Sequence, residues 1–268
     1  MEANIGYSCG CILLVFLTDL SGIGPALMES DHASRNLAVL QAAAFLGPTL
    51  NQSLSAGYDL RRTFSLNPCS LTSVGAAAVG GASLWALLAT ATALRGGVGS
   101  VGVEAAYQLA EASAALWAAP TDAGGWAELL GYGALAPALV EEALFRGYLL
   151  TALRSGRGGL RSIDAAALSA FLFACFHLSA SQFFPTAVLG LATGAVVLST
   201  RSLLPAVALH AAHNAAALAY GAAVLEGSLP PGPPVAGVTA AAVAGAAGSI
   251  YLLWSEATAD ERATSDAD

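Results

Sequence analysis

The sequence predicts an all-α, polytopic membrane bundle of about eight helices, and three observations carry that expectation. Hydrophobic residues make up 56% of the 268 residues and charged residues only 10%, against about 25% charged in ordinary soluble domains. Apolar runs long enough to approach the thickness of a bilayer recur along the whole chain. Glycine interrupts several of these runs, a habit commoner in membrane helices than in soluble ones.

Taken in order, the expected spans are 8–28, 36–56, 70–94, 126–150, 163–180, 185–199, 203–222 and 235–254. The first follows Met1-Glu-Ala-Asn, which lacks the positive start of a secretory signal, so 8–28 is expected to be retained. Asp19 within it is expected to meet a neighbouring helix or the interface. Between the third and fourth spans, Val103 to Trp117 is rich in Ala and Leu but carries Glu104 and Glu111. It reads as an interfacial or re-entrant helix; as a ninth span it would place the termini on opposite sides. Gly156-Arg-Gly-Gly159 and Pro230-Pro-Gly-Pro-Pro234 read as loops. No repeat of fixed period is present. The organisation predicted is 1–125, amino-terminal helices and an outer connection; 126–222, a core of four helices; 223–254, a last helix; and 255–268, an acidic tail.

Charge orients the chain. All ten basic residues are arginine. Cytoplasmic termini put Arg61, Arg62, Arg154, Arg157, Arg161 and Arg201 in cytoplasmic loops and leave Arg35 and Arg95 outside, as the positive-inside rule prefers. The net charge of −8 arises largely from loops and from the tail after Trp254, which is expected to be solvated and disordered. No basic patch points to nucleic acid. Cys9, Cys11, Cys69 and Cys175 are dispersed among apolar segments and form no C-x-x-C pair, so they read as small core residues.

Against this apolar background three polar clusters stand out. Glu141, Glu142 and Arg146 lie inside the fourth span. A charged side chain at a helix centre costs about 2.5–3.5 kcal/mol on insertion scales, which makes the triplet a functional site by default. Glu142 and Arg146, four apart, share a helix face and can pair, leaving Glu141 to aim elsewhere in the bundle. His177 follows Phe173 by four residues, on the same side of the fifth span. A carboxylate and an imidazole converging on one water form a general-base pair, so Glu141 and His177 are the expected water-activating groups. His210 and Asn214 also share a face, and their donors suit a developing oxyanion. His213 points about 60° away from His210 and is expected to pack or to make a supporting hydrogen bond. His32 lies in a predicted outer loop and reads as solvated.

Glu-Glu-x-x-x-Arg at 141–146, Phe-x-x-x-His at 173–177 and His-x-x-x-Asn at 210–214, in that order on successive apolar segments, resemble the motifs of the CAAX-processing and bacteriocin-processing (CPBP) intramembrane proteases. The surrounding Ala136-Pro137 to Leu149 and Leu204-Pro205-Ala-Val-Ala-Leu-His210 agree, and the likeness covers about Trp126 to Tyr220. The resemblance implies an intramembrane endopeptidase of the cell membrane acting on a membrane-embedded or lipidated peptide, with 126–222 as the catalytic core. Related CAAX proteases remove the last three residues from isoprenylated proteins. Family members are often described as metalloproteases, and two histidines and two glutamates are ligand types that zinc accepts. The chain has no H-E-x-x-H, and Asn214 makes better sense as an oxyanion donor than as a ligand, so a metal-free site is the preferred expectation. Were zinc present, Glu141, His177 and His210 would hold it. Two other classes compete: a non-catalytic immunity or sequestering member of the same family, and a transporter or proton relay. A transporter should show repeated halves, and the Glu-Glu motif has no second copy.

Overall fold

The computed structural model describes residues 33–95, 120–155, 158–177, 179–229 and 236–265. The expected span 8–28 with Cys9, Cys11 and Asp19, the segment 103–117, His32 and the 230–234 loop lie outside the described residues. Eight helices follow in order. Helix α1 runs through Ala33–Gln41, a π-helical Ala42–Leu46 and Gly47–Ser55; α2 is Leu60–Thr63 and α3 is Leu71–Arg95. Helix α4 runs through Ala123–Leu130, π-helical Gly131–Leu135, Ala136–Glu142, π-helical Ala143–Leu149 and Leu150–Arg154. Then come α5 at Ser162–Phe176, α6 at Ala180–Thr200, α7 at Leu203–Leu225 and α8 at Ala236–Ser265. The described residues contain no strand beyond one isolated bridge, between Leu66 and Ser202. The all-α architecture is as expected.

Two of the wide π turns have a local cause. Pro48 and Pro137 each stand in the first turn of the α-helical piece that follows a π segment. A proline has no N–H to give and its ring crowds the carbonyl four residues back. Those carbonyls belong to Ala44 and Gly133, inside the two π segments, where the backbone has opened. The third π segment starts directly after Glu142 and contains Gly147, where a Cβ would lie 2.9 Å from Phe64 Cδ1 and 3.2 Å from its Cα.

Helix α4 is the centre of the bundle. Every residue from Glu141 to Leu150 is buried, as expected of a helix enclosed on all sides. Phe145 packs edge-on against Phe173 of α5, with ring centroids 5.2 Å apart, and Phe45 of α1 packs edge-on against Phe176 at 5.1 Å. Helix α3 lies between α7 and α8. Against α8 it runs antiparallel, matching Ser73 with Glu256, Gly80 with Ser249, Ser83 with Gly245 and Thr90 with Thr239. Small residues and hydroxyls let two apolar helices approach closely where lipid offers no hydrophobic drive for association.

At one end of the bundle the connections join. Leu203 N–H donates to the Ser65 carbonyl at 2.9 Å, Ser202 Oγ to the Asn67 carbonyl at 2.8 Å, and Asn67 Nδ2 to the Arg201 carbonyl at 2.7 Å. Ser65 and Arg201, both in this junction, are the non-glycine residues of positive φ among those described, at 51° and 53°. This groups Arg201 with the α2 connection that carries Arg61 and Arg62.

Among the described residues three helices are long and apolar enough to cross a membrane: Leu71–Thr92, Gln182–Thr200 and Ala236–Glu256; Ser162–Phe176 is a shorter apolar helix. Two boundaries differ from the sequence expectation. The expected spans 163–180 and 185–199 meet at a break near 177–179, because Ser179 caps α6 by accepting from the Gln182 N–H. Pro185, which marked the expected start, instead sits inside that helix. At the carboxyl end α8 continues past 254 to Ser265, so helical backbone occupies most of the segment expected to be a disordered tail.

Candidate active site

Glu142, at the last α-helical position before the third π segment, is fully buried and contacts two partners. Its Oε1 accepts from His210 Nδ1 at 2.8 Å. Its Oε2 lies 3.3 Å from Arg146 Nε, an ion pair between two side chains with no solvent exposure. The pairing expected from the four-residue spacing is therefore present, although Arg146 lies in π-helical backbone. Burying a guanidinium and a carboxylate is tolerated only when each offsets the other's lost hydration.

Arg146 spends the rest of its charge on aromatic faces. Its guanidinium carbon stands 4.3 Å from the centroid of Phe173 and 5.8 Å from that of Phe145. Its terminal nitrogens have no hydrogen-bond acceptor among the described residues, so attraction to the ring face, stronger when desolvated, takes that place. Gly190 of α6 makes room: a Cβ there would lie 2.9 Å from Arg146 Nη2 and 3.0 Å from Ala170.

His210 lies in the first half of α7, 2% exposed, and spans both glutamates. With Nδ1 donating to Glu142, Nε2 faces Glu141 Oε2 at 3.8 Å. Glu141 is itself buried, at 5% exposure. The expectation assigned Glu141 to His177 and His210 to Asn214; the contacts found for Glu141 and Glu142 run to His210 and Arg146.

His177 closes α5 as its carboxyl-terminal cap rather than sitting within a span. Its Nδ1 lies 2.9 Å from the Phe173 carbonyl oxygen, which leaves Nε2 as the nitrogen able to meet a water or substrate. Phe173 links the two histidines: its ring centroid lies 4.8 Å from that of His177 and 5.7 Å from that of His210, both edge-on. Helical spacing puts Phe173 on the His177 face; its contact with two imidazoles and one guanidinium is a tertiary fact. Asn214 is half-buried one turn beyond His210. The His213 side chain stands against the main chain of Gly81 on α3, with its Nδ1 unpartnered among the described residues. That contact has no signal in the sequence beyond the Gly80-Gly81 pair.

Among the described residues no three His, Cys, Asp or Glu side chains form a group able to hold a metal ion. Glu141 and His210 are adjacent, but His177 stands across Phe173. Cys69 and Cys175 are free thiols.

The fold and site define a class: an apolar helical bundle whose central helix carries buried carboxylates and a guanidinium, met by the His210 imidazole of a neighbouring helix, with a second imidazole, His177, across the Phe173 ring. Within it, residues 123–216 match the family model described as type II CAAX prenyl endopeptidase Rce1-like. The matched segment spans all three polar motifs and agrees with the resemblance read from them. The matched segment is similar to CAAX-type proteases, and the long apolar helices are of a length and composition suited to a membrane. No curated protein and no solved structure matched the chain.

Proposed function

We propose that the chain is an intramembrane endopeptidase of the cell membrane that hydrolyses a peptide bond in a membrane-embedded or lipidated peptide. The observation that carries this reading is the His210 imidazole held between two buried carboxylates, at 2.8 Å from Glu142 and 3.8 Å from Glu141. Helix-to-helix adhesion needs one such contact, and a second carboxylate beside it raises the cost of burial without adding a hydrogen bond.

In the proposed cycle Glu141, supported by His177, takes a proton from water as the oxygen attacks the scissile carbonyl carbon. Charge then develops on the carbonyl oxygen. His210, in its doubly protonated form, and Asn214 donate to that oxygen. Collapse of the tetrahedral intermediate breaks the C–N bond, and Glu141 returns the proton to the leaving amine. Glu142 and Arg146 do not touch the reacting atoms; Glu142 sets the ring orientation of His210, and Arg146 balances Glu142. No step passes through a metal. The membrane disposition that accompanies this reading is multi-pass with both termini cytoplasmic.

The test is cleavage of reporter peptides, prenylated and unprenylated, by purified protein in detergent or liposomes. Cleavage by the wild type that disappears in Glu141→Gln supports the proposal. Equal cleavage by both would remove it.

A further inference from the structure

Helix α3 carries adjacent glycines whose surroundings differ. A Cβ on Gly80 would meet Ser249 of α8, a collision with the hydroxyl and a 3.2 Å contact with its Cβ. A rotatable side chain can yield there. A Cβ on Gly81 would instead collide with the carbonyl oxygen of Leu209 on α7 and lie 2.7 Å from its carbonyl carbon. Backbone cannot yield without moving the helix. Leu209 is the residue before His210, so this tight approach of α3 and α7 lies one peptide unit from the imidazole that meets both glutamates.

A second contact joins the same two points. His213, three residues after His210, stands against the Gly81 main chain. Three residues along a helix is nearly one full turn. Further along, Trp85 and Tyr220 pack with ring centroids 5.2 Å apart. Gly81 thus permits the approach, and His213 ties α7 to it in one rotation about its axis.

We propose that Gly81 and His213 form a positioning clamp that sets the depth and rotation of α7, and thereby the reach of His210 to Glu141 and Glu142. Neither residue touches the reacting atoms. The consequence for turnover rests on the endopeptidase reading; the consequence for the His210–Glu142 hydrogen bond does not. Displacing a reacting group by about 1 Å costs on the order of 10²-fold in rate, and a methyl group at Gly81 imposes a shift of that size.

The experiment compares Gly81→Ala, Gly80→Ala and His213→Ala in ¹⁵N-histidine-labelled protein. With four histidines in the chain, the imidazole N–H proton of His210 bonded to Glu142 can be assigned by its loss in His210→Ala. The clamp predicts that this resonance is lost or strongly shifted in Gly81→Ala and His213→Ala but kept in Gly80→Ala. It also predicts that kcat of folded protein falls about 10²-fold in Gly81→Ala and by a smaller factor in His213→Ala, with KM nearly unchanged, while Gly80→Ala keeps wild-type kcat. An unshifted His210 resonance in His213→Ala overturns the clamp, even if Gly81→Ala fails to fold. So does an equal loss of the resonance in Gly80→Ala and Gly81→Ala, which would show general loosening of α3. Wild-type protein that cleaves nothing yet shows the predicted resonance pattern would sink the endopeptidase reading and leave the clamp standing.

Discussion

Two of the polar contacts between apolar helices in the described residues differ in cost. Along α3 and α8, apart from the partly exposed Glu256 carboxylate at one end, the partners are hydroxyls and glycines, with Thr90 and Thr239 oxygens 3.2 Å apart and Ser249 against Gly80. Neutral groups of this kind lose little hydration when paired, and each contributes modestly to association. Between α4 and α7 the partners are Glu141, Glu142, Arg146 and His210, all buried. Ionisable groups there lose far more hydration, and their geometry offsets the loss only in part. The costly arrangement is the one on which the proposed hydrolysis rests; the α3–α8 contact needs no role beyond assembly.

The comparison can be broken most directly at Glu141. Glu141→Gln keeps the shape and removes the base, so hydrolysis should fall by about 10⁴-fold, the upper end for general-base catalysis, while the melting temperature in detergent holds. Glu142→Gln should behave differently. It leaves Arg146 facing an uncharged partner in a buried site, and breaking such a pair typically costs about 3–5 kcal/mol. A thermal melt should show Glu142→Gln well below wild type with activity lost as well; equal melts for the two variants would dissolve the division of labour between the carboxylates. His210→Ala should reduce kcat by about 10²–10³, the loss expected for one oxyanion donor, and single-turnover measurements would separate this from a fall in active fraction.

On the neutral side the effects are small. Thr90→Val removes one hydroxyl of the α3–α8 contact and should cost about 0.6 kcal/mol, the mean for interhelical hydrogen bonds in a membrane, with kcat unaltered. A loss above about 2 kcal/mol would place this contact with the costly ones. Thorough chelation should have the smallest effect, leaving activity intact, and elemental analysis should find less than one zinc per chain. Loss of activity on chelation with restoration by stoichiometric zinc would revise the mechanism but not the site.

Much of this was legible in one dimension. Composition and apolar runs announce a helical membrane bundle because a backbone in lipid must satisfy its own hydrogen bonds. Glu141, Glu142, Arg146, His177, His210 and Asn214 stand out because each is placed where lipid disfavours it. The Glu142–Arg146 pair follows from helical spacing alone, and that spacing survives the π turn. These are local matters, decided by residue type and by neighbours along the chain.

Tertiary structure alone decided which imidazole meets which carboxylate. Helical periodicity orients a residue about its own axis, but it is silent on the depth and rotation of one helix against another. Those depend on backbone approach, as at Gly81 and Leu209, and on side chains such as Phe173 that fill the space between helices. His177 falls at the helix end rather than inside the expected span 163–180 for a similar reason: the Ser179 cap starts α6 before the apolar pattern would begin it. Because side chains at these contacts come from segments far apart in sequence, no window of residues contains the information, and only the packed bundle brings it together.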